Sequence, residues 1–256
     1  MAEIAGYLGM QDDSILFHQK SVRVKETINQ KLLDKNKGIY VDGENSKHSS
    51  IHANMFPLAF GIVPDENLKS VISFVKSRGM ACSVYGAQYL LEGLYLHGEA
   101  DYALDLMTST SDRSWWNMIK VGSTMALEAW DMKYKPNSDW NHAWGTSPAN
   151  IIIRWMWGIQ PIQPGFALVR IKPQLGHLAF SKIKVPSIKG AITAEYQKID
   201  DRNDLFMIEL PETMKGEFVT SKGEQVIISV NKKKVKSVNG TVLLNPGLNR
   251  IEISNN

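Results

Sequence analysis

The hydrophobic period of this chain changes once, and that single change limits the folds open to it. From residue 1 to about 158 apolar residues recur at helical spacing. Phe17, Val24, Ile28 and Leu32 form one stripe, with Asp12 and Asp13 suited to cap its start. In PDENLKSVISFVKSRG, Leu68, Val71, Ile72 and Val75 repeat the pattern; acidic residues open the helix, Arg78 sits in its last turn and Gly79 ends it. GAQYLLEGLYLHG does the same with Ala87, Leu90, Leu91, Leu94 and Tyr95, ending at Gly98. TSPANIIIRWMWG offers Ser147 as cap, Pro148 at the first helical position and Gly158 as the stop. Short loops between such helices imply antiparallel neighbours.

After GIQPIQPG (158–165) the period drops to two. Ile192, Ala194 and Tyr196 alternate with polar residues, as do Phe206, Ile208 and Leu210, then Val226, Ile228 and Val230, then Ile251 and Ile253. Asn239-Gly240 is a hairpin signal. About seven short strands separated by turn residues suggest an antiparallel β-sandwich. The expectation is an α plus β chain with two domains, a helical one over 1–160 and a sheet domain over 161–256.

Composition excludes several function classes. A net charge of +3 is too small to argue for nucleic acid, and NKKKVK (231–236) reads as a solvated turn. No apolar run approaches the roughly 18 residues of a membrane span. The start, MAEIAGYLGMQDD, lacks a basic stretch followed by an apolar block, so no signal peptide is visible and the chain reads as entered mid-helix. The lone Cys82 permits no internal disulfide and reads as a small buried residue.

The chemistry gathers where the tryptophans do. All seven fall between Trp115 and Trp157, and the same span holds one glutamate, Glu128, and one histidine, His142. Trp155 and Trp157 read as core. Trp130, Trp140 and Trp144 flank a polar, Pro-containing loop, where indoles beside carboxylates and amides suit the lining of a sugar site. Glu128 lies in MALEAW, an apolar setting that could raise its pKa; the competing reading is a carboxylate paired with a Lys or Arg. Asp131, three residues on, could share a helix face with it. His142 reads either as a donor to a hydroxyl or as a structural histidine, with Asn141 beside it. His48 and His52 lie four apart, but no third ligand is apparent, so neither a metal nor a cofactor is expected.

With those residues in view, the chain resembles the C-terminal part of a bacterial α-L-rhamnosidase, an inverting glycoside hydrolase. The resemblance rests on HSSIHANMFPLAFGIVP, YGAQYLLEGLYLHGEADYALDLM, SWWNMI, GSTMALEAWD, NHAWGTSPANIIIRWMWGI and PGFALVRIKPQLG, in the family's order over nearly the whole chain. It implies a partial (α/α)6 barrel followed by a β-sandwich. It also implies that Glu128, with Thr124 and Trp130 in the same motif, is the general base, and that Asn141 and His142 line the sugar pocket. A rhamnose-containing glycan or glycoside is the implied partner, and a periplasmic or extracellular location would fit the family.

One departure stands out. The family's general acid lies in an Asp/Glu/Arg-rich segment of the first half of the barrel, with no counterpart here; DDRND (200–204) reads as a turn among strands. The resemblance therefore implies a fragment of a longer enzyme or a natural truncation, partnered by the missing barrel half or by a second copy. Rival readings are another (α/α)6 glycosidase or lyase, and a carbohydrate-binding remnant without turnover.

Overall fold

A computed structural model describes residues 1–221 and 226–255. The chain divides into two compact units, Met1–Leu94 and Tyr95–Asn256. No helix among the described residues is long and apolar enough to cross a membrane.

The first unit is built from helices α1 (Ala2–Tyr7) and α2 (Gln11–Leu32), a two-stranded ribbon of β1 (Leu33–Asp34) and β2 (Ile39–Tyr40), then α3 (Ile51–Ala59), α4 (Leu68–Arg78) and α5 (Ala87–Leu96). Asp12 and Asp13 do not cap α2: Met10 holds that place without a side-chain bond, and the two carboxylates lie inside the first turn, where they still favour the helix dipole. The stripe expected on α2 finds little cover, for the helix has no buried residue. By contrast α3 is capped by Ser50, whose Oγ accepts from the Ala53 amide at 3.1 Å, and α4 buries Val71 and Val75 completely. Gly93 of α5 passes so close to α3 that a Cβ there would meet the Ala59 nitrogen at 3.2 Å. Gly79 ends α4 as expected, with φ of 54° and ψ of −136°, a conformation open to glycine.

The second unit continues with α6 (Ala100–Thr108), α7 (Trp115–Lys120) and α8 (Ser147–Ile151), the last running into a π-helical turn at Ile152–Met156. Thr146, not Ser147, holds the cap position of α8. Trp157 is buried, with its Nε1 donating to Ser181 Oγ at 3.1 Å, and Gly158 has φ of 63°.

Among the described residues ten strands follow: β3 (Ile159–Pro161), β4 (Leu168–Ile171), β5 (Phe180–Ser187), β6 (Gly190–Lys198), β7 (Asn203–Leu210), β8 (Lys215–Val219), β9 (Val226–Val230), β10 (Lys233–Val235), β11 (Thr241–Leu244) and β12 (Gly247–Asn255). They form a six-stranded sheet in the order β10-β9-β12-β7-β6-β5 and a four-stranded sheet in the order β11-β8-β4-β3. Alternation does its work: Ile192, Ala194 and Tyr196, Phe206, Ile208 and Leu210, and Ile251 and Ile253 are all buried. In the smaller sheet Val169, Ile171, Phe218 and Val242 are buried as well, and the rings of Phe206 and Phe218 approach to 5.1 Å.

Two expectations need correction. The smaller sheet is mixed, because β4 and β8 pair in parallel. The Asn239-Gly240 turn forms, with φ of 51° and 72° and reciprocal bonds between Val238 and Thr241, but the strands it joins enter different sheets. A turn sequence fixes the local reversal and leaves the choice of partner to side-chain burial.

Candidate functional site

The tryptophan-rich segment is organised by α7. Ser114 caps that helix by accepting from the Asn117 amide at 3.1 Å. Asn117 is itself buried, and its Nδ2 donates to the Trp130 carbonyl at 3.0 Å and to Asp131 Oδ2 at 2.9 Å. Trp115 meets Trp130 edge to face at 5.0 Å, while its Nε1 donates to the Gly145 carbonyl at 2.7 Å. One short helix thus grips the chain on both sides of the intervening loop.

Residues 121–142 have neither helix nor strand. The shared helix face expected for Glu128 and Asp131 is therefore absent. Instead two extended limbs run past each other. The Glu128 amide donates to the Asp139 carbonyl at 3.0 Å, the His142 amide to the Ala126 carbonyl at 2.9 Å, and the Ala129 amide to Ser138 Oγ at 3.2 Å. Leu127 and Trp130 bury their side chains and anchor one limb.

Between those anchors, the Glu128 side chain meets polar groups. Lys135, from the tip of the loop, pairs with Oε1, and the Asp139 amide donates to Oε2 at 3.3 Å. The Lys135 contact, the Asp139 amide and the nearby His142 hold the carboxyl below the usual glutamate range. The sequence suggested an apolar setting and a raised pKa; the alternative of a basic partner is what the structure has. Apolar neighbours in sequence do not surround a side chain in an extended limb, because successive residues face opposite ways.

His142 is mostly buried and stacks on Trp144, ring centroids 4.1 Å apart and planes 19° apart. Its Nδ1 lies 3.9 Å from Asp139 Oδ2. Donor atoms of Glu128, Asp139 and His142 all fall within 4.8 Å of one another. Within this group Lys135 brings its ammonium against Glu128. His48, by contrast, pairs with Asp42.

A cavity of about 700 Å³ opens beside this cluster. Asn141 and His142 line it with Thr124, Trp115 and Met118, whereas Glu128, Trp130, Trp140 and Trp144 are not among its lining residues. Trp130 is a buried anchor. Trp140 and Trp144 are about half exposed, and Trp140 Nε1 donates to Met132 Sδ at 3.2 Å. Asp131 accepts from Asn117 and from the Lys133 amide, which lowers its pKa and fixes the loop. Sequence reasoning missed Trp115, Asn117, Lys135 and Asp139. The polar tip carried a signal for Lys135 only in the general expectation of a basic partner.

Residues 1–157 match the family described as bacterial alpha-L-rhamnosidase 6 hairpin glycosidase domain, and residues 158–236 that described as bacterial alpha-L-rhamnosidase C-terminal domain. No curated protein sequence matches the chain. Among solved structures, it is similar to the α-L-rhamnosidase from Dictyoglumus thermophilum, with 19% identity, a TM-score of 0.83 and coverage of 99% of this chain and 30% of that one. The Streptomyces avermitilis α-L-rhamnosidase complexed with L-rhamnose has 20% identity and a TM-score of 0.76, covering 98% of this chain and 25% of that one. The native enzyme from Aspergillus terreus has 16% identity and a TM-score of 0.71, with 95% and 28% covered. The likeness is one of fold, helical part followed by sheet-rich part, and the chain spans 30% or less of each of these structures.

Proposed function

The chain belongs to the bacterial α-L-rhamnosidase family, and we propose that it carries the base-bearing side of a glycoside hydrolase site that releases terminal α-L-rhamnose with inversion. In this reading residues 1–160 are the latter part of an (α/α)6 barrel and 161–256 a C-terminal β-sandwich. Glu128 draws the proton from a water attacking the anomeric carbon. Asn141 and His142 hold sugar hydroxyls from the cavity wall, and the exposed indoles of Trp140 and Trp144 offer faces to the sugar's C–H groups. Trp130 and Asp131 serve from behind, by fixing the loop.

The observation that supports this most is the gathering of Glu128, Asp139 and His142 within 4.8 Å beside a cavity. A general base must be ionised before it can accept a proton; the lowered pKa keeps Glu128 ionised while making it a weaker base than an ordinary glutamate. Inversion needs a second carboxyl group roughly 6.5–9.5 Å away on the other face of the sugar. We assign that acid to residues beyond these 256, so that the chain alone acts as a fragment.

Calorimetric titration with L-rhamnose tests the sugar site. Binding is expected to persist in Glu128→Gln, which keeps shape, and to weaken at least several-fold in His142→Ala. Absence of L-rhamnose binding by the wild-type chain, with its fold intact, would reject the site. The hold of Lys135 on Glu128 favours, as the second reading, a carbohydrate-binding remnant, which would give the same titration and no product.

A further inference from the structure

We infer that Lys135 is the positioning residue of Glu128, orienting its carboxylate from the tip of the loop. This rests on the reading of Glu128 as the base. The geometry is two-sided: Lys135 Nζ takes Oε1 and the Asp139 amide takes Oε2, so the carboxylate plane cannot turn without losing one partner. The backbone around it is made for this purpose. The Glu128 amide and the Asp139 carbonyl are bonded to each other at 3.0 Å, so the limb that supplies the amide donor is locked to the limb that carries the carboxylate. Lys135 sits in the turn joining those limbs, where Ser138 donates its own amide to the Lys135 carbonyl at 2.9 Å.

A carboxylate has about four acceptor sites, so these two donors leave others free for a water's proton. Lys135 therefore orients the base without consuming it. The charged groups facing Glu128 are few. From the tip comes Lys135; from the returning limb come the Asp139 carboxylate, about three-quarters exposed, and His142. Of these, Lys135 and His142 favour the ionised form, and among the described residues facing Glu128 Lys135 is the permanent positive charge. It is also the first cause of the lowered Glu128 pKa. The Lys135 side chain is only partly covered, so the pair is open to screening by salt.

The test follows the Glu128 carboxyl itself, by ¹³C NMR of the glutamate-labelled chain titrated with acid, its signal assigned by its loss in Glu128→Gln. In Lys135→Met the midpoint should move up towards an ordinary glutamate, and Lys135→Arg should bring it back down. An unchanged midpoint in Lys135→Met, or an arginine variant that behaves like the methionine one, overturns the inference. Should Lys135→Met disturb the loop, as the amide shifts of Asp139 and His142 would report, the wild-type chain decides. Raising the salt concentration should lift its midpoint, and a midpoint indifferent to salt overturns the inference. Failure of the rhamnosidase reading would be registered separately, by the L-rhamnose titration, and would leave these midpoints where they are.

Discussion

The paired sheets and the loop 121–142 belong to the same compact unit but hold their shapes by different means. The sheets bury alternate side chains, from Ile192 to Ile253, in one apolar layer where Phe206 meets Phe218. The loop buries few side chains, Leu127, Trp130 and Ser138 among them, and relies on directed bonds from Asn117, Asp139 and Lys135. Burial is non-directional and tolerates approximate geometry, whereas a hydrogen-bonded loop sets the position of each polar atom. That difference suits the two regions to different tasks: one supplies stability, and the other places a carboxylate, an imidazole and the exposed indole of Trp140.

The largest effect should come from cutting the apolar layer. Phe218→Ala removes a fully buried ring and should cost about 3–5 kcal/mol, read from the midpoint of urea unfolding followed by far-UV circular dichroism. In the loop, Asn117→Ala should cost about 1–3 kcal/mol, because the Trp130 carbonyl and Asp131 lose a buried donor. Its distinguishing sign is a change in tryptophan fluorescence at denaturant concentrations where the sheet signal is still native. A loss as large as that of Phe218→Ala would erase the contrast between the two regions.

Smaller effects separate the regions by pH. Glu128 and Asp131 have lowered pKa values, so what they contribute is complete above the ordinary carboxylate range of about 4 and fades as pH falls through their folded values below it. Tyr196 is raised, first by burial and then by Asp204, whose Oδ1 accepts its hydroxyl at 3.0 Å. Its contribution is complete below the ordinary tyrosine value of about 10 and fades as pH rises through the folded one. Acid should therefore disturb the tryptophan signal of the loop, and alkali the sheet signal around Tyr196. A tryptophan signal indifferent to acid, or a sheet signal indifferent to alkali, would contradict the assignment of these groups. Exposed apolar residues on α1 and α2, such as Ile4, Tyr7, Ile15 and Val24, should also make the isolated chain self-associate in light scattering. A monodisperse monomer without dye binding would mean that this surface needs no cover.

The same contrast decides what could be read from the residues. Strand faces were legible because a period of two survives any choice of partner, as Phe206, Ile208 and Leu210 illustrate. Partner choice was not: nothing local in LVRI or KGEFV announces the parallel pairing of β4 with β8. In the loop, the crowd of tryptophans marked the place, and the polar run after Asp131 marked an irregular backbone. The identity of each contact was hidden, since Glu128 finds Lys135 seven residues away through a turn that no periodicity describes. The apolar letters around Glu128 misled for the same reason, as Leu127 and Trp130 turn inward and the carboxylate meets charge.

Central to this account is Glu128 as the base of an inverting rhamnosidase site. The direct measurement is turnover of an aryl α-L-rhamnoside with a good leaving group, whose departure needs little help from an acid, compared between wild type and Glu128→Gln in the chain and in any longer protein that contains it. The account predicts β-L-rhamnose as the first product by NMR and a loss of about 10²–10⁴-fold in Glu128→Gln, the range for removal of a general base. Wild-type turnover in Glu128→Gln would contradict it.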